Sequence, residues 1–213
     1  MKRSTFLLTL TLAPLLLVGC GSGHDTKNIP RWANPTNITF RTLGVADAPR
    51  WTGQFNFQPI SVVRDWTLDQ LEDVTATVKF WNSKNGPFLF THVPHDQPAD
   101  IDIVVVDHLD DVLGEETLGY CDMWAPGGVI SPGNVRVVVT NKARTALGKN
   151  IFKFVLYHEF GHALGFAHRD NLDSVMYKSG DLGNALYLSV KGVPGQLPEV
   201  DRLVRDSVYP PYK

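Results

Sequence analysis

Leu71, Val74, Val78 and Trp81 recur at offsets of 0, 3, 7 and 10 within residues 67–83, with mostly polar residues between them. That spacing predicts an amphipathic helix. Thr67 suits its N-cap, and Gln70 at the third helical position completes a capping box. A period of two governs 37–43, where Ile38 and Phe40 face one way and Thr39 and Arg41 the other, so this stretch reads as a strand. The runs ADIDIVVVD (99–107) and VRVVVTN (135–141) are rich in Val and Ile, as strands covered on both faces are. NIFKFVLYHEFGHALG (150–165) predicts a second helix, with Asn150 as cap and Gly165 as stop. Val200, Leu203, Val204 and Val208 fall on one side of a third helix over 197–209. Strands alternating with helices in this order imply an α/β sandwich with a mostly parallel sheet.

The first 35 residues lie outside this pattern. MKR followed by STFLLTLTLAPLLLV has the build of a signal peptide and is shorter than the roughly 20 residues of a membrane span. The run closes on Leu17-Val18-Gly19-Cys20, which resembles a bacterial lipobox and implies removal of residues 1–19 and lipidation of Cys20. A plain secretory signal cut near 19–23, or a short uncleaved anchor, is the other reading of the same residues. Residues 20–35 are small, polar and punctuated by Pro, and read as a lipidated tether to a domain spanning 36–213. The expected location is the bacterial cell envelope, with the domain outside the cytoplasm and held to a membrane through the lipid. Gly21, where an Asp is associated with inner-membrane retention, favours the outer membrane. With Cys20 lipidated, Cys121 has no partner for a disulfide and reads as a small packed residue.

Composition sets outer bounds. A chain of 213 residues can bury one substantial core, and 43% hydrophobic residues exclude wholesale disorder. The net charge of −2, with no basic run to follow a phosphate backbone, argues against nucleic acid as a partner. A monomer is expected.

The chemistry concentrates in HEFGHALGFAH, residues 158–168, which holds three of the seven histidines. On a helix, His158 and His162 lie one turn apart on one face, so both imidazoles can reach one ion. Gly165 ends the helix where a positive φ is required, and the chain turns back to deliver His168. Three neutral nitrogen donors with a fourth position open make a catalytic zinc arrangement, whereas a structural site is closed. Glu159 is placed beside such an ion to hold a water and take its proton, and zinc brings bound water to a pKa of about 7. A helix with surface histidines and an unrelated Gly turn would explain neither Glu159 nor His168.

HExxHxxGxxH is the metzincin zinc signature, and SVMY follows it, with Met176 where that group has its Met-turn. Within the metzincins the chain resembles the matrixins, the matrix metalloproteinase group. FWNSKNGPFLF followed by ADIDI is similar to the matrixin passage from first helix to central strand, and the likeness spans roughly 36–180. It implies a deep sheet lobe, a small C-terminal lobe with a helix, and a horizontal cleft. It further implies zinc endopeptidase activity on protein or peptide substrates, with Glu159 catalytic, His158, His162 and His168 as ligands, and Met176 beneath them. A substrate strand would add to the sheet edge around 121–130. Phe154, four residues before the first ligand, and Tyr177, just after the Met, would line the pocket beyond the scissile bond.

Departures from the matrixin pattern are Arg169 for the usual Ser, Lys178 for the usual Pro, and Tyr120 near an expected ligand of a second, structural zinc. The acidic loop with Asp107, His108, Asp110, Asp111, Glu115 and Glu116 could bind calcium or be merely solvated. His92 and His95 read as loop residues. The alternative function is that of a non-catalytic envelope lipoprotein using the zincin scaffold to bind a partner.

Overall fold

The computed structural model describes residues 29–47, 63–107, 118–141, 149–177 and 192–211. Cys20, the leader, most of the acidic loop (108–117) and Lys178 lie outside the described residues. Five strands form one sheet: β1 (Ile38–Leu43), β2 (Phe90–His92), β3 (Ile101–Val106), β4 (Gly119–Met123) and β5 (Val135–Thr140), in the order β2-β1-β3-β5-β4. All neighbours run parallel except β4, which pairs antiparallel with β5 and ends the sheet. The helices are α1 (Leu68–Trp81), α2 (Lys149–Ala163) and α3 (Glu199–Val208). The mostly parallel α/β expectation is met.

Alternation decides which face of the sheet meets the helices. Ile38, Phe40, Ile101, Ile103, Val105, Val135, Val137 and Val139 point into the main core, together with Val74, Phe80 and Trp81 of α1 and Phe152, Leu156 and Phe160 of α2. The opposite face carries a smaller cluster of Leu43, Val63, Val104, Val106 and Val138. Beside it, in one row across four strands, lie Arg41, Asp102, Arg136 and Asp122, each directly opposite the next in register. Arg41 Nε donates to Asp102 Oδ1 at 2.7 Å, and Arg136 sits in the fields of Asp102, Asp122 and Tyr120.

The capping box at α1 forms as the sequence implies: Gln70 N donates to Thr67 Oγ1 at 3.3 Å and Thr67 N to Gln70 Oε1 at 2.9 Å. Its buried stripe is rotated from the apolar one. Gln70, Asp73 and Thr77 are buried alongside Val74 and Trp81, while Leu71 and Val78 sit at its flank. Thr77 satisfies its hydroxyl on the Asp73 carbonyl at 2.8 Å, which lets a polar side chain stay inside. Asn150 lies inside α2 and does not cap it.

Two expectations change at the ends of the domain. The stretch read as tether is packed from Arg31 onward. Arg31 N donates to Gly128 O, Ile130 N donates to Arg31 O, and Trp32 is only 4% exposed within the core. In α3, the predicted apolar side is not the buried one: Leu203 is 57% exposed, whereas Asp201 and Arg205 are buried. Arg205 donates to the carbonyls of Trp81, Ser83 and Lys84 at 2.9, 2.7 and 3.2 Å, closing the C-terminal end of α1. Buried charges with such partners are tolerated where apolar residues would otherwise be expected.

Candidate metal centre

α2 delivers His158, Glu159 and His162, and its ending delivers the rest. Gly165 adopts φ +92°. Its N–H donates to His162 O at 2.8 Å, and Phe166 N donates to Gly161 O at 3.0 Å. These two bonds are a Schellman motif, which satisfies carbonyls that a helix terminus otherwise leaves open. The reversal leaves no space for a side chain at Gly165, because a Cβ there would overlap the Pro30 carbonyl. It also carries the Phe166 carbonyl to His162 Nδ1, 2.7 Å away, and brings His168 back over the helix.

The three Nε2 atoms converge. His168 Nε2 lies 2.9 Å from His158 Nε2 and 3.1 Å from His162 Nε2, and no other His/Cys/Asp/Glu cluster of metal-binding geometry occurs among the described residues. His158 Nδ1 faces the Val175 carbonyl at 2.8 Å. A carbonyl only accepts, so Nδ1 of both His158 and His162 carries the proton and each Nε2 presents a lone pair. A cation placed among them would accept the lone pairs of all three rings. A tetrahedral ion with nitrogen ligands at about 2.0–2.1 Å would spread its donors to ~3.4 Å, a small adjustment from what is seen. The donor set fits zinc.

Electrostatics agree. Burial, then the neighbouring His168, brings the His158 imidazole down to about 4. Burial foremost, then the other two imidazoles, takes His162 well below its ordinary range. Both rings are therefore neutral near pH 7, the form that binds a metal. Glu159, 8% exposed, is pushed up to about 8 by burial, a value that a neighbouring dication would draw back down. Its side chain lies against β4, where a Cβ on Gly119 would come 2.9 Å from Glu159 Cγ. Cys121, half-buried two residues along the same strand, has its thiol raised by burial first and by Glu159 second. The edge strand and the acid–base candidate are thus immediate neighbours.

Met176 is 1% exposed. It follows a tight turn in which Ser174 N bonds Asn171 O and Tyr177 N bonds Ser174 O, at 2.9 and 3.1 Å. Its sulfur and the Trp81 ring occupy the space over Gly161, so a Cβ at that position of the motif would overlap both. Arg169 N donates to Met176 O at 2.8 Å, tying the loop of His168 to the turn. Tyr177 is half-buried at the end of that turn, while Phe154 is closed into the core at 1% exposure. His92 and His95 lie apart from the centre: His92 ends β2 and stacks on Phe40, and His95 pairs with Asp47.

Sequence reasoning missed the Val175 and Phe166 carbonyls, which carry no side-chain signature, and Gly119, whose smallness makes room for Glu159. It also missed Tyr209. This hydroxyl, 2% exposed as a residue, donates to Leu164 O and accepts from Trp32 N, both at 2.9 Å, while Trp32 Nε1 donates to Ala163 O at 3.0 Å. The N-terminal segment, α3 and the end of α2 therefore meet just before His168.

A mostly parallel sheet over a helix that presents two imidazoles and a carboxylate, with a third imidazole on the return, defines a zincin-type candidate metal centre. The matrixin family profile matches residues 27–191, more than three quarters of the chain, and the chain belongs to the matrixin family. Membership supports a zinc metalloprotease type of function and implies zinc as the metal. No curated protein matches the chain.

Proposed function

We propose that this protein is a zinc-dependent endopeptidase that hydrolyses peptide bonds of proteins. The observation that carries the reading is the convergence of three imidazole nitrogens, two of the rings held neutral by burial, beside a buried carboxylate. Zinc, when bound, supplies a Lewis acid that polarises a carbonyl and acidifies water at neutral pH.

The chain's own residues do the rest. His158, His162 and His168 hold the ion, and the Val175 and Phe166 carbonyls fix two of the rings. Glu159 takes a proton from the attacking water and gives it to the departing amine, general acid–base work typically worth about 10²–10⁴ in rate. The outer edge of β4, unpaired among the described strands, offers backbone donors and acceptors to an extended peptide. Tyr177, half-buried after the Met176 turn, would favour a medium-sized apolar side chain beyond the scissile bond, whereas Phe154 is enclosed in the core. Lipidation of Cys20 would hold the domain at the envelope membrane, and radiolabelled palmitate incorporation lost in Cys20→Ser tests that.

The deciding experiment compares wild type with Glu159→Gln. Wild type is expected to carry one zinc per chain and cleave casein. Glu159→Gln is expected to keep the metal, measured by plasma mass spectrometry, and lose at least about a hundredfold in rate. Parental cleavage by the Gln variant refutes the role of Glu159.

A further inference from the structure

Between α1 and α2 runs a groove of about 320 Å³, bounded also by Val193 and Pro194 of the segment that leads into α3. Lys79 of α1 and Asn150, Lys153 and Tyr157 of α2 line it. The three α2 residues share one helix face, about 100° or more around the axis from His158 and His162, so the groove is separate from the candidate metal centre. No acidic residue lines it. Ion pairs take up Arg41, Arg64, Lys84, Arg202 and Arg205, whereas neither Lys79 nor Lys153 meets a carboxylate among the described residues. Lys153 Nζ lies 5.9 Å from the centre of the Tyr157 ring, which places its ammonium at the wall. Tyr157 is 3% exposed, and burial first and Asp73 second push its pKa up to about 12, so its hydroxyl keeps its proton at neutral pH. Asp73, whose field reaches that hydroxyl, is 2% exposed and does not line the groove.

We propose that this groove is a second binding site, one that takes an organic carboxylate on a compact apolar body, such as the C-terminal residue of a peptide or a short branched acid. Two ammonium groups without a counter-charge, in a chain of net charge −2, make a local attractor for an anion. Lysine supplies charge-assisted donors, and the Asn150 amide and Tyr157 hydroxyl add neutral ones. Val193 and Pro194 offer an apolar surface that a carboxylate with a hydrocarbon body buries and that inorganic phosphate cannot use. The volume falls at the small end of ligand sites, about 300–1,000 Å³, which suits a residue-sized ligand. One wall is set before any ligand arrives: the Tyr157 ring stacks on Phe80 with centroids 4.0 Å apart, and its carbonyl accepts from Trp81 Nε1 at 3.0 Å. A wall fixed in advance lowers the ordering cost of binding.

Equilibrium dialysis of the protein against radiolabelled N-acetyl-leucine, isovalerate, N-acetyl-leucinamide and inorganic phosphate tests the site. Binding is read instead of cleavage, so the outcome is independent of the protease reading. Wild type is expected to bind N-acetyl-leucine or isovalerate saturably, one per chain, and the uncharged amide at least about tenfold more weakly. Tighter binding of N-acetyl-leucine points to a peptide terminus as the source and tighter binding of isovalerate to a free acid; either result supports the carboxylate site. Lys79→Gln and Lys153→Gln, both on the surface side of their helices, should each weaken binding about tenfold. Absence of saturable binding to wild type, or parental affinity in both Gln variants, overturns the proposal. Equal affinity for the amide overturns the anion reading, and phosphate bound as tightly as either carboxylate overturns the ligand class.

Discussion

Replacing Tyr209 by Phe removes one oxygen atom from the junction of three segments. That oxygen donates to Leu164 O and accepts from Trp32 N, each at 2.9 Å, and burial raises its pKa, so it is a neutral hydroxyl at any working pH. A typical net hydrogen bond contributes about 1 kcal/mol, but a buried donor or acceptor left unpaired costs about 1–3 kcal/mol. Here the substitution leaves both a backbone N–H and a backbone C=O without their partner, with almost no change in volume. The expected loss is therefore about 2–4 kcal/mol of unfolding free energy. For a domain of this size, each kcal/mol shifts Tm by roughly 2–4 °C, so Tm should fall by roughly 5–15 °C. Urea unfolding followed by tryptophan fluorescence, on chains beginning at residue 24, measures it directly. A loss below about 0.5 kcal/mol would refute the claim that the Tyr209 hydroxyl stitches Trp32 to the end of α2.

Three further outcomes follow from the same coordinates. Gly165→Ala must place a Cβ at φ +92° against the Pro30 carbonyl; left-handed strain of about 1–2 kcal/mol and overpacking of about 1–3 kcal/mol should together lower the urea midpoint and weaken zinc binding. Asp201 is pushed up to about 6 by burial, against which Ser174, Val175 and Arg169 pull it down. Because the native chain then holds a proton that the unfolded chain has already lost, the contribution of Asp201 to stability falls as pH rises from about 4 to about 6, by about 3 kcal/mol in all. The difference in unfolding free energy between wild type and Asp201→Asn, taken from denaturation curves across that window, should fall as pH rises; a difference independent of pH would refute it. His162→Ala should lose bound metal by elemental analysis while Glu159→Gln retains it.

What the sequence disclosed was whatever local spacing determines. The convergence of the three imidazoles, the Thr67–Gln70 box and the positive φ of Gly165 all depend on residues within about ten positions of each other, and all occur as read. What it hid depends on distant partners. Trp32 sits among Pro, Asn and Lys in a stretch whose composition reads as linker, and is buried only because Ala163 and Tyr209 receive it. Asp201 and Arg205 broke the apolar pattern of α3 because their charges are met 26 and more than 120 residues away. β2 has three residues and β4 is half-buried throughout, so neither shows a clean period of two.

The row Arg41–Asp102–Arg136–Asp122 has a bearing on how the sheet is assembled. A one-residue slip turns every side chain of a strand to the other face. For β1, β3, β4 or β5, such a slip would drive a guanidinium or a carboxylate into the main core while turning an apolar side chain to the far side. Misaligned pairings are thereby penalised one strand at a time. The sheet face turned away from the helices is what keeps their platform in its single permitted alignment.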